Sequence, residues 1–161
     1  GFLEDSGHKA VAKSFIKRTA DEKAGVFCRR GGKPTVIEYT EIPSELAELK
    51  DDAGVWVYGD TNVLNYIFDI DVAESLAEVG MSYHIAVKKL NCADFATGET
   101  VVIPNGYKFE LFLFDAFSQL DSLGVFRIER KEEFAPVKNP TGVDSAESAR
   151  EMYMAIHKEE N

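Results

Sequence analysis

The amino-acid sequence predicts an α/β domain, and three observations carry that expectation. Short runs alternate apolar and polar residues, as where Tyr107, Phe109 and Leu111 fall on one parity and Lys108 and Glu110 on the other, which is the period of a strand. Other runs, residues 72–79 and 145–158 among them, place apolar side chains at helical spacing between capping signals. The chain has 161 residues with no internal repeat, low-complexity tract or linker. A single domain of that size buries roughly 70% of its unfolded surface.

In chain order, residues 8–17 read as a strand, since Val11, Phe15 and Ile16 suit a sheet and a polar loop follows at 18–23. Residues 25–29 (GVFCR) form a second strand. Arg29-Arg30-Gly31-Gly32-Lys33 turns it back into a return strand over 35–40, a hairpin. Residues 43–50 start with Pro43 and Ser44 and make a short helix; 50–54 is a polar turn, and 55–58, with the only Trp, a short strand. Asp60 and Thr61 are good N-caps, so 61–68 is expected to be helical. Asp69-Ile70-Asp71 resembles a metal-binding D-x-D. Asp71 with Glu74 also makes a capping-box pattern for a helix over 72–79 that ends at Gly80, and that structural reading is preferred. Residues 83–90 form a strand and 91–102 a hairpin leading to Pro104-Asn105-Gly106, read as a turn. After it the chain alternates as a strand and passes near Phe112 into a helix whose apolar positions are Leu113, Phe117 and Leu120. A strand over 124–129, a charged segment at 130–133, an extended loop over 135–140 and a closing helix over 145–158 complete the order.

The composition is 45% hydrophobic and 29% charged, with 18 Lys and Arg against 28 Asp and Glu, a formal net charge of −10. That balance argues against nonspecific binding to nucleic acid or an anionic membrane, yet a phosphorylated small molecule needs only a few local cations. Cys28 and Cys92 are far apart and no C-x-x-C occurs, so reduced thiols in a cytoplasmic protein are expected. No apolar run approaches the ~20 residues of a membrane span, and no signal-peptide pattern stands at Gly1. The start, Gly1-Phe2-Leu3, lacks Met, which leads us to expect a fragment of a longer protein.

Several residues invite a functional reading. Lys108 and Lys138 are isolated cations, the first beside Phe112, Phe114 and Phe117 and the second in a loop between two prolines. Lys108 with those aromatics suits a ligand with a phosphate at one end and an apolar group at the other, and Lys138 is a second candidate for a phosphate; a solvated lysine and a core aromatic stripe is the plainer alternative. Glu38 lies between Val36 and Thr40 on one strand face, where burying a carboxylate costs several kcal/mol unless it is paired. A ligand hydroxyl or a solvated edge would account for it. Asn62 falls in the first turn of the expected helix, as a ligand contact or simply a cap. Gly31-Gly32 lacks a following helix and is turn chemistry rather than a phosphate cradle. The histidines, His8, His84 and His157, have no metal-site spacing and are read as structural or exposed, and no nucleophile elbow occurs.

Six pieces fall in a known order: GVFCR at 25–29, IEYTEI at 37–42, TNVLNYIF at 61–68, VKK at 87–89, PNGYKFELFLFD at 104–115 and EEFAPVKN at 132–139. With them the chain resembles the eukaryotic UDP-N-acetylhexosamine pyrophosphorylases over nearly its whole length. The resemblance implies part of a Rossmann-like nucleotidyltransferase (GT-A-like) domain with a mixed sheet. It implies an enzyme that makes UDP-N-acetylglucosamine and pyrophosphate from UTP and N-acetylglucosamine 1-phosphate with Mg²⁺. By position it gives Gly25, Glu38 and Asn62 to the sugar, Phe112 and Phe114 to the N-acetyl group, and Lys108 and Lys138 to phosphates.

Two departures matter. Thr61 stands where the family usually has Gly, and the glycine-rich uridylyltransferase loop and the metal-binding Asp have no counterpart here. Residues 1–161 are therefore expected to be the sugar-binding second half of a catalytic domain, inactive alone, with the Mg²⁺ ligands outside the chain. The half-domain is expected to self-associate or to meet the missing N-terminal half. A UDP-glucose or other UDP-sugar pyrophosphorylase, or a non-catalytic sugar-phosphate-binding half-domain, are the alternatives.

Overall fold

The computed structural model describes residues 1–157, with the backbone alone for residues 104 and 105. Thirteen elements follow one another: α1 (Phe2–Ser6), β1 (Ala10–Ser14), β2 (Val26–Arg30), β3 (Lys33–Ile37), α2 (Ser44–Ala47), β4 (Tyr66–Phe68), α3 (Ile70–Ala77), β5 (His84–Ala93), β6 (Thr100–Glu110), a 3₁₀ helix (Leu113–Gln119), β7 (Gly124–Arg127), α4 (Arg130–Glu133) and α5 (Ala146–Ile156). The expected α/β class and mixed sheet are both present. A three-stranded sheet in the order β4-β1-β7 pairs β1 antiparallel to β4 and parallel to β7. Two antiparallel hairpins, β2–β3 and β5–β6, stand apart from it.

β1 is central and closed on both sides: Ala10, Val11 and Ala12 are buried. The core gathers Ala10, Val36, Leu76, Phe114, Ala116, Phe117 and Leu120, bringing β1, β3, α3 and the 3₁₀ helix together. Phe117 is its centre, fully buried and edge-on to Tyr66 at 5.1 Å. Gly31 and Gly32, both with positive φ, make the β2–β3 turn as expected, because glycine adopts that region without a Cβ penalty. Between β5 and β6, Asp94 Oδ1 accepts from the Ala96 backbone and Gly98 turns at φ 74°.

Several expectations are corrected. The helix expected over 61–68 is absent: Thr61 bridges to Val26, Leu64 sits at φ 58°, and Tyr66–Phe68 pair with β1. Thr61 N–H is taken by Phe15 O and Asn62 N–H by Gly25 O, so tertiary pairing outweighs the capping signal. The segment 55–58 is a turn with one bridge, Lys50 to Trp56, rather than a strand. The helix expected from Asp71 begins two residues earlier, with Asp69 at the N-cap and no side-chain capping bond. Asp69 N–H bonds Lys9 O, which fixes the entry to that helix. It also ends earlier than Gly80, with Glu78 as its C-cap. The return strand β3 stops at Ile37 because Glu38 O accepts from Glu41 and Ile42. Residues 104–106 are no turn: β6 runs through them, and a register shift at Lys88/Lys89 absorbs the irregularity. The helix after Phe112 is 3₁₀, which leaves Leu113 exposed. The closing helix carries the Ser145–Ser148 capping box; its expected end at Lys158 lies outside the described residues.

Candidate functional site

A cavity of about 560 Å³ opens where the mouth of β2, the 61–64 segment, the start of the 3₁₀ helix and the loop around Lys138 converge. Gly25, Glu38, Asn62, Phe112, Phe114 and Lys138 all line it. Backbone bonds build its floor. Lys17 N–H to Gly59 O, Thr61 N–H to Phe15 O and Phe27 N–H to Asp60 O lay residues 59–62 as a strap between the end of β1 and β2. Arg127 clamps that strap from β7, donating Nε to Asp60 Oδ1 at 2.7 Å and Nη2 to Oδ2 at 2.9 Å.

Gly25 admits the close approach of Glu38. A Cβ at Gly25 would stand 2.7 Å from Glu38 Oε1 and 2.8 Å from Val36 Cγ1. Among the described residues no donor reaches the half-buried Glu38 carboxylate. Burial pushes its pKa up, Glu41, Asp115 and Glu110 push the same way, and His84 opposes them. An acceptor of this kind is suited to a ligand hydroxyl. Asn62 Oδ1 accepts from Leu64 N–H at 3.1 Å and from Tyr66 Oη at 2.7 Å. Its acceptor is thereby occupied, and its Nδ2 donor has no partner among the described residues. Burial raises the Tyr66 hydroxyl to about 12, so it stays a donor.

The Phe112 and Phe114 rings stack at 4.8 Å and 13°. Phe117, grouped with them by the sequence, belongs to the core instead. Lys138 is held by its backbone, whose N–H donates to Asp144 O at 2.6 Å. Lys108 stands elsewhere. It projects from β6, 56% exposed, with Nζ 2.6 Å from Glu110 Oε1, and does not line the cavity.

The sequence reading missed Arg18, Lys23 and Arg130, cations that also line the cavity. Arg130 pairs with Glu22 and lies over Phe15 at 4.4 Å and Phe134 at 5.4 Å. The i,i+4 spacing of Arg130 and Phe134 was the available signal. Thr61 also lines the cavity; its Oγ1 is buried with no hydrogen-bond partner. Among the described residues no three His, Cys, Asp or Glu side chains are grouped to hold a metal. No helix among the described residues is long and apolar enough to cross a membrane.

No protein-family model matches the chain. It is 36% identical over 97% of its length to a UDP-N-acetylglucosamine pyrophosphorylase of Saccharomyces cerevisiae, of which it spans 35%. It superposes on 32% of the Trypanosoma brucei uridine diphosphate N-acetylglucosamine pyrophosphorylase, solved with an inhibitor, at a TM-score of 0.78 and 29% identity over 98% of this chain. A Leishmania major UDP-glucose pyrophosphorylase covers 86% of the chain at a TM-score of 0.58 and 16% identity, a likeness of fold alone, and the chain covers 31% of it. The chain thus spans about a third of the length of the curated relatives it matches.

Proposed function

We propose that this chain, a homologue of the UDP-N-acetylhexosamine pyrophosphorylases over nearly its whole length, forms the sugar-phosphate side of an enzyme that makes UDP-N-acetylglucosamine from UTP and N-acetylglucosamine 1-phosphate. The observation that carries the reading is the convergence of Glu38, Asn62, Phe112, Phe114 and Lys138 on one cavity beside Gly25. Glu38 accepts from sugar hydroxyls and the Asn62 amide donates to the sugar. The two phenylalanines meet the N-acetyl group, and Lys138 meets the phosphate.

In the reaction a phosphate oxygen of the sugar attacks the α-phosphorus of UTP in line. One P–O bond forms as the bond to the β-phosphate breaks, and pyrophosphate leaves. Positioning and charge neutralisation carry such a step, without a covalent nucleophile. Lys108, outside the cavity, would turn to the phosphate only in the complete enzyme. Its exposed pairing with Glu110 is worth little, so a phosphate can displace it. The glycine-rich loop that would hold UTP, and ligands for Mg²⁺, belong on this reading to the rest of a longer polypeptide. A pyrophosphate-release assay tests it. A full-length protein should turn over N-acetylglucosamine 1-phosphate and the 161-residue chain should not. A full-length protein that prefers glucose 1-phosphate would favour a UDP-glucose pyrophosphorylase. Binding without turnover there would favour a non-catalytic sugar-phosphate-binding unit.

A further inference from the structure

His84 opens β5 at the root of the long hairpin and lines no part of the cavity. Its Nε2 lies 2.8 Å from Asp115 Oδ2. Its ring centroid is 4.8 Å from Phe112 and 6.5 Å from Phe114. Phe112 stacks on Phe114 and the His84 ring leans on Phe112 at 54°, so the three rings form one cluster, of which only the two phenylalanines line the cavity. The arrangement closes on itself. Asp115 N–H donates to Phe112 O at 3.0 Å, its carboxylate meets His84, and the His84 ring lies against Phe112.

The two phenylalanines differ in what else restrains them. Phe114 is 3% exposed within the core, whereas Phe112 is partly exposed on extended backbone just ahead of the 3₁₀ helix. Its ring meets Phe114 and His84, each at 4.8 Å, on two adjacent sides. Removing the imidazole would open one side of that ring and free its rotamers.

We propose that His84 is a positioning residue that, anchored by Asp115, fixes Phe112 against Phe114 and so sets the preference of the cavity for an acetamido-bearing over a hydroxyl-bearing sugar phosphate. The proposal rests on the sugar-phosphate reading of the cavity. A rigid apolar wall rewards an added methyl-sized group by about tenfold or more, and a wall free to rotate gives up most of that reward.

The test is calorimetric titration of a full-length protein carrying this chain with N-acetylglucosamine 1-phosphate and with glucose 1-phosphate. The wild type should prefer the acetamido ligand. His84→Ala should cut that preference by about tenfold while leaving glucose 1-phosphate affinity within about threefold. Asp115→Ala should behave alike, and Asp115→Asn, which keeps a partner for the ring nitrogen, should retain most of the preference. A merely structural role would weaken both ligands together and leave their ratio unchanged, which overturns the proposal. A wild type that binds neither ligand overturns the sugar-phosphate reading and this proposal with it. A wild type that discriminates, with both alanine variants discriminating equally well, overturns the clamp alone.

Discussion

The β5–β6 hairpin and the 3₁₀ helix that follows it are joined through Phe112, yet they meet solvent in opposite ways. On the hairpin Tyr107 is 68% and Phe109 58% exposed, whereas Phe117 in the helix is fully buried. Both stretches carry aromatics at regular spacing. Alternation gives a strand its faces but leaves open whether anything packs on them. In the helix, packing is supplied by Tyr66, Phe68 and the core around Ala10 and Leu76. The largest expected effect follows from that contrast. Phe117→Ala should cost about 3–5 kcal/mol, as large-to-small changes at closed sites do. A urea melt of the chain checks it, and a loss below about 1 kcal/mol would place the folding core elsewhere.

Next in size is a contrast between the two lysines. Lys138 stands in the cavity on a loop fixed by Asp144, and Lys108 on the hairpin in the grip of Glu110. In a full-length protein Lys138→Ala should lower kcat/KM by about 10²-fold, the loss of one charged contact to the transition state. Lys108→Ala should lower it comparably if Lys108 turns from Glu110 to the phosphate. Activity within about threefold of wild type for Lys108→Ala, beside a large loss for Lys138→Ala, would confine phosphate binding to the cavity.

What the sequence made legible divides along the same line. β1, the β2–β3 hairpin, β7 and α5 follow from local pattern and turn chemistry, and β1 and β7 lie side by side in the expected mixed sheet. In the sequence Glu38 stands out as a carboxylate between Val36 and Thr40, and in the fold it is half-buried against Gly25 with no donor among the described residues. The 61–68 segment misled because Asp60 and Thr61 are good caps, while the bonds that hold them, to Phe27, Phe15 and Arg127, come from distant parts of the chain. Residues 104–106 misled because turn chemistry can also be accommodated in a strand by a register shift. In the sequence Arg130 is simply part of a charged run; its place over Phe15 depends on the fold.

A smaller effect separates the cavity from the hairpin by pH. The Glu38 carboxyl is raised, chiefly by burial. A carboxyl raised in the folded state contributes stability that is whole below its ordinary value and is lost as pH rises through the raised one. The ligand-free Glu38→Gln chain should therefore be more stable than wild type near pH 7 and indistinguishable from it near about pH 4. Screening at a half-exposed group holds the difference under about 1 kcal/mol. Glu110 on the hairpin shifts the other way, lowered chiefly by its bond to Lys108. Thermal melts across that range check the sign, and a Glu38→Gln chain less stable than wild type near neutral pH would reverse the assignment of Glu38 as a desolvated, unpaired carboxylate.

The smallest expected effect is the one that would break the contrast most directly. Phe109 faces Ile85 across the hairpin and meets Tyr83 edge-on at 6.1 Å, and these neighbours are themselves 61% and 64% exposed. A side chain with such partners recovers little of its transfer free energy, since most of its surface stays in water. Phe109→Ala should then change the stability of the chain by no more than about 0.5 kcal/mol, against several for Phe117→Ala. The outcome to look for is a loss above about 2 kcal/mol, which an exposed cross-strand pair cannot supply. Were that found, this face of the hairpin would be covered in solution. Repeating the melt across a range of protein concentrations would then identify the cover: stability that rises with concentration means a second copy of the chain.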